Sequence, residues 1–212
     1  MATKLAIMNG ALMTLGHRRL VDTGEPVEAG RELNAIYDQV LAECLSAGSW
    51  NFAMETIQAD TDTGTIPVFG FAHVFGKPTD WLRTIGVSDD PYLSRPLLHY
   101  YDDMNFWSAD VTPIYVRYVS NDTGLGLYLP RWPAAFARYA ELGLASRVCL
   151  RITQNSAMLE HVDQMRAAAR RVALNQDALN EPNPKFPPPN SWTLSRGGRG
   201  GGDRGSRGSL TG

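Results

Sequence analysis

"EPVEAGRELNAIYDQVLAECLSAGSWNFA", residues 25–53, contains the change of pattern that decides the fold. Between Glu25 and Gly48 the apolar residues Val27, Leu33, Ile36, Tyr37, Val40, Leu41, Cys44 and Leu45 recur at helical spacing. Glu28, Arg31, Glu32, Asn34, Asp38, Gln39 and Glu43 are left for another face, which predicts an amphipathic helix. From Trp50 to Ser120 the period changes. "WNFAMETI", "PVFGFAHVF", "LLHYY" and "PIYVRYVS" are short, aromatic and β-branched, and Gly, Pro, Asp and Asn clusters separate them, which predicts a small set of strands. Within that region "PTDWLRTIG" reads as a helical turn.

Working outward, Leu5, Met8, Leu12 and Leu15 predict a first helix that ends at Gly16, with His17, Arg18 and Arg19 near its negative pole. On the other side, Pro133 suits a first helical position. Phe136, Ala140, Leu144, Val148 and Ile152, with Leu142, Ala145 and Cys149 beside them, predict a broadly apolar helix deep in a bundle. "TQNS" offers a cap for a last long helix, in which Leu159, Val162, Met165, Ala169 and Val172 run down one side. From Asn180, "NEPNPKFPPPNSW" stops any helix and imposes an extended course. The expected architecture is α+β, mainly α. It comprises N-terminal bundle helices (1–49), a β-rich insertion (50–130), a C-terminal helical pair (131–179) and an extended Pro/Gly/Arg-rich arm (180–212).

With 212 residues and 43% hydrophobic content, the chain suits one globular domain plus an appendage. The net charge is −2, and only the end is basic, where Arg196, Arg199, Arg204 and Arg207 face Asp203 alone. That balance argues against a wholly basic nucleic-acid protein. Cys44 and Cys149 sit far apart inside helical patterns, with no CxxC spacing, and read as buried thiols. The opening "MATKLAIMNGALMTLGHRR" lacks both the apolar core of a signal peptide and the length of a membrane span.

No motif carries an enzyme signature. Asp-Thr-Gly occurs at residues 22–24, 62–64 and 122–124, and two such carboxylates sharing a proton would form an acid–base pair. All three triplets fall at changes of pattern, however, and are composed of turn formers. His17, His73, His99 and His161 have no metal-ligand spacing, and the glycines of "GGRGGGDRG" neither follow a strand nor open a helix, so no cofactor or metal is expected. The arm is read as an extended peptide that gains order on a partner, with Trp192 and Leu194 as anchors ahead of the glycines. The alternative reading is an RGG-tailed nucleic-acid-binding module.

Several linked segments resemble the head-to-tail adaptor, or tail tubular protein A, family of short-tailed bacteriophages. "LNAIYDQVLAECLSAGSWNFA" is similar to the family's second helix running into a Trp-x-Phe-Ala element, here Trp50, Phe52 and Ala53. "FGFAHVFGKPTDWLR" resembles its aromatic strand followed by Pro-x-Asp-x-Leu-Arg, here Pro78, Asp80, Leu82 and Arg83. "LPRWPAAFARYAELGLASRVCLRITQNSAMLEHVDQMRAAARRVALNQDA" resembles its helical pair, and "NSWTLSR" its closing element. The chain departs from the pattern at Gly76-Lys77, ahead of Pro78, and in its extension beyond Arg196.

The resemblance implies a non-enzymatic virion protein of the tail and portal vertex, assembled in the host cytoplasm. It would form a ring with neighbouring copies, typically twelve, between the portal protein and the tail nozzle protein. Genomic DNA would pass through the lumen without sequence-specific binding, and no membrane would be involved. On this reading Trp192, Leu194, Arg196, Arg199, Arg204 and Arg207 are the portal-docking candidates. Phe69, Phe71, Trp81, Phe106 and Trp107 are the nozzle-facing candidates, and Trp50 and Phe52 hold the junction between helix and sheet.

Overall fold

A computed structural model of the chain describes residues 2–65, 67 and 70–180. Within them the fold is α+β and mainly α. Asn180, expected to open the arm, is the last residue of a helix, and residues 181–212, with the six portal-docking candidates, lie outside the described residues, as does Phe69.

Helix α1 (Lys4–Thr14) starts at Thr3, whose side chain accepts from the Ala6 amide at 3.2 Å. It stops at Gly16, which takes φ +69. There the His17 amide donates to the Leu12 carbonyl at 2.9 Å and the Gly16 amide to Met13 at 3.1 Å, the paired bonds of a Schellman motif. Helix α2 (Glu28–Ser46) buries Leu33, Tyr37, Val40, Leu41, Cys44 and Leu45, the stripe expected from its sequence. Helix α3 (Ala134–Thr153), with Pro133 just before it, packs against both α1 and α2. Nine of its residues are buried, Phe136, Ala140, Leu144, Val148 and Cys149 among them. It ends where Gln154 turns left-handed at φ +52, and Asn155 then caps α4 (Ser156–Asn180) by accepting from the Met158 amide at 3.2 Å. Helix α4 buries only Val162, Ala173 and Asp177. Val172, expected on its inner stripe, is 51% exposed, because residues 162, 173 and 177 define a face about 100° away from it.

Between α2 and α3 the chain makes two three-stranded antiparallel sheets. The first has the order β1 (Met54–Ala59), β6 (Ile114–Ser120), β3 (Trp81–Ser88). The second has the order β2 (His73–Gly76), β5 (Phe106–Ala109), β4 (Tyr100–Asp102). The segment expected to form a helical turn, "PTDWLRTIG", is instead a tight turn followed by a strand. The Trp81 amide donates to the Pro78 carbonyl at 3.2 Å, and the Thr, Ile and Val that follow extend as β3.

Two cores result. One joins the helices to Trp50, Ala53 and Val119, and the other lies between the sheets, where Ala59, Val87, Ile114 and Val116 meet Phe75, Trp107 and Ala109. Strand β6 contributes to both. Both cysteines are buried and free.

Candidate interaction surfaces

The exit from α2 is built around aromatic rings. Trp50 is 1% exposed, and its indole donates to the Cys44 carbonyl at 3.0 Å. Phe136 of α3 lies edge-on to Trp50 (4.8 Å), Phe52 (4.8 Å) and Trp132 (4.7 Å), a geometry that aromatic quadrupoles favour. Trp132 in turn donates to the Gly126 carbonyl at 2.8 Å. Trp50 and half-buried Phe52 therefore occupy the junction between α2 and β1.

Helix α4 is held to this body by an apolar seam that includes Val162, Ala173, Leu159 and Met165, and by polar contacts. Glu43 of α2 accepts from Arg147 at 2.7 Å and from Arg166 at 2.9 Å. Arg147 first, and then Arg166, hold its carboxyl below the usual carboxylate range. The Arg166 guanidinium also lies 5.8 Å from the Tyr139 ring, and Arg170 donates to the Ala47 carbonyl at 2.7 Å, at the negative end of α2. Glu43, Ala47, Tyr139, Arg166 and Arg170 border an open cavity of about 470 Å³. Burial pushes the Cys44 thiol up to about 11.

Near the far end of α4, Asp177 is 6% exposed. Its two carboxylate oxygens accept from the Asn51 amide at 3.1 and 3.0 Å, and its own carbonyl accepts from the Asn51 side chain at 2.8 Å. The last turn before the arm is thus tied to the aromatic junction. Sequence reading missed Asp177, whose surroundings "ALNQDALN" look solvated and whose partner lies 126 residues away.

The nozzle-facing candidates separate. Trp107 is fully buried between the sheets and offers no surface to a partner. It alternates inward on β5 opposite Phe75, and its indole donates to the Thr84 hydroxyl at 2.9 Å. Trp81, half-buried, donates to that same hydroxyl at 3.1 Å. Phe71 is half-buried with its ring 5.2 Å from that of His99, and Phe106 is half-buried. More exposed apolar groups lie on loops: Tyr92 at 87% exposure, Met104 at 80%, and Leu98 at 91%, which precedes β4 although the sequence predicts a strand throughout "LLHYY".

Lys77, the departure from the family pattern, has a side chain only 3% exposed. Its ammonium pairs with the Asp102 carboxylate and the Asp103 carbonyl, and it lies 3.5 Å from the Trp81 ring centroid and 5.4 Å from that of Trp107. A cation is tolerated there because it is both paired and seated on aromatic faces.

On the first sheet, an open cleft of about 700 Å³ is lined by Glu55, Asp80, Asp122 and Tyr118, among others. The Tyr118 hydroxyl lies 2.9 Å from Glu55 and 3.2 Å from Asp80, and Ser120 also donates to Asp80. Burial first, and then the Glu55 contact, raise the phenol far above its usual range, so it remains a donor.

The Asp-Thr-Gly triplets are turns whose carboxylates bind their own backbone. Asp22 accepts from Thr23 at 2.8 Å, Asp62 from Gly64 at 2.9 Å and Asp122 from Gly124 at 2.6 Å. Among the described residues no group of three or more His, Cys, Asp or Glu is placed to hold a metal ion, and no helix is long and apolar enough to cross a membrane. In comparison with known proteins, the chain matches no family model and no curated protein.

Proposed function

We propose that this chain is a structural head-to-tail adaptor of a short-tailed bacteriophage. On this reading, copies form a ring, typically of twelve, that joins the portal to the tail nozzle and encloses the DNA exit path. The observation that carries the reading is the linked order of the family-like motifs. In support, the three motifs that fall among the described residues each coincide with a junction in the fold. Trp50-Asn51-Phe52-Ala53 occupies the α2-to-β1 junction, Pro78 and Asp80 the turn into β3, and "ITQN" the αL turn between α3 and α4. The Asp177–Asn51 contacts tie the last turn of α4 to the aromatic cluster. A basic, Pro- and Gly-rich segment following α4 in sequence suits capture by a partner ring, because its ordering cost is met on assembly.

The test is electron microscopy of the full chain mixed with portal rings from the same phage. Decoration of the portal by a ring of the full chain, and its loss when residues 181–212 are removed, is the expected result. Bare portals at micromolar concentrations of both components would refute the proposal.

A further inference from the structure

We infer that the slot beside Trp81 binds a polyproline segment, and that its occupant is Pro187–Pro189 of a second copy of this chain. The slot has a volume of about 380 Å³ and is lined by Lys77, Pro78, Thr79, Trp81, Met104 and Asn105, within the ~300–1,000 Å³ of typical ligand clefts. Its chemistry suits prolines. An indole, a proline ring and a thioether supply apolar surface, and Thr79 and Asn105 at the edge can donate to the carbonyls that polyproline leaves unbonded. The Lys77 ammonium over the indole, paired with Asp102, fixes the ring before any ligand arrives. Preorganisation of both partners keeps the ordering cost low.

Charge selects the occupant. Residues 50–130 carry four Lys/Arg against ten Asp/Glu, and residues 181–212 carry five Lys/Arg against two Asp/Glu. The region that contains the slot is thus net negative, and the segment that contains three consecutive prolines is net positive. Lys185 precedes those prolines by two residues, and exposed Asp103 precedes Met104 at the slot's rim. Seating one copy's prolines in the next copy's slot is a head-to-tail contact, the kind that generates rings or open filaments. The contact uses Pro187–Pro189 and not the portal-docking candidates, so the inference does not rest on the portal reading.

Sedimentation of the full chain, alone and with a labelled peptide of residues 183–191, tests the inference. The wild-type chain should self-associate reversibly at tens of micromolar, and excess peptide should disperse it. Trp81→Ala should be monomeric and bind the peptide at least tenfold more weakly. Met104→Asp, at an 80% exposed position, should do the same if Trp81→Ala fails to fold. The chain with Pro187, Pro188 and Pro189 all changed to Ala should be monomeric yet bind the peptide. An equimolar mixture of the Met104→Asp chain and the triple-Ala chain restores a single contact, and should give dimers and nothing larger. A monomeric wild-type chain, association that survives either variant, or a mixture that stays monomeric would overturn the inference.

Discussion

Replacing Asp177 by Ala tests whether the polar clasp between α4 and the aromatic junction fixes the end of α4. The substitution removes both acceptors of the Asn51 amide, at 3.1 and 3.0 Å, in a setting where Asp177 itself is only 6% exposed. A hydrogen bond to a charged acceptor contributes about 1.5–3 kcal/mol, and an amide left buried without a partner costs about 1–3 kcal/mol. The two figures describe the same loss and do not add, so the expected destabilisation is about 2 kcal/mol. For a body of this size that is roughly 4–8 °C in Tm. Hydrogen exchange gives the sharper readout: the Asn51 amide and the last two turns of α4 should lose protection, while α1 and the first turns of α3 keep theirs. Asp177→Asn, which retains an acceptor oxygen, should fall between wild type and Ala. Unchanged exchange at Asn51 in the Ala variant, with Tm within a degree of wild type, would refute the reasoning.

Glu43 links two arginines, and its folded-state pKa is depressed, so its contribution is present above the unfolded value near 4.5 and disappears as pH falls through the lower folded value. Wild type and Glu43→Gln should therefore differ most near neutrality, by no more than about 1 kcal/mol for such partly exposed pairs, and converge in acid, as denaturant titrations at pH 7 and pH 3 would show. The Cys44 thiol, raised from 9.0 to about 11 by burial, should be about a hundredfold poorer in thiolate at pH 8 than an ordinary thiol. A thiol reagent should accordingly label it only slowly in the native protein and promptly in denaturant, and mass spectrometry of the labelled peptide would measure the difference.

The helices were legible because each buries a stripe of side chains at a fixed period. Leu33 to Leu45 on α2 and Phe136 to Cys149 on α3 follow that spacing, and both stripes are buried. Strand β3 was illegible for a physical reason. Its pairing with β6 shifts register between Trp81 and Arg83 and again between Thr84 and Gly86, so the period-two alternation that marks a strand is interrupted twice within eight residues. Strand β5, only four residues long, is too short to show a period. Val172 fits a helical stripe as well as Ala173 does, and only the neighbours of α4 decide which of them faces inward. The candidate surfaces were harder still. Trp107 and Trp81 look equivalent in sequence, and their different burial follows from pleat and sheet stacking. The exposure of Tyr92, Leu98 and Met104 depends on loop paths that carry no repeating signal.

Strand β6 runs between the helical core, which it enters through Val119, and the inter-sheet core, which it enters through Ile114 and Val116. Although residues 50–130 interrupt the helices along the chain, they cannot be excised like a cassette. A shortened protein joining α2 directly to α3 would lose Trp50, Ala53 and Val119 from the interior of the bundle, leaving a hollow where those side chains now sit. Any lineage that trims or exchanges the outer sheet must keep this shared strand, so variation in length is best accommodated in the loops beyond it.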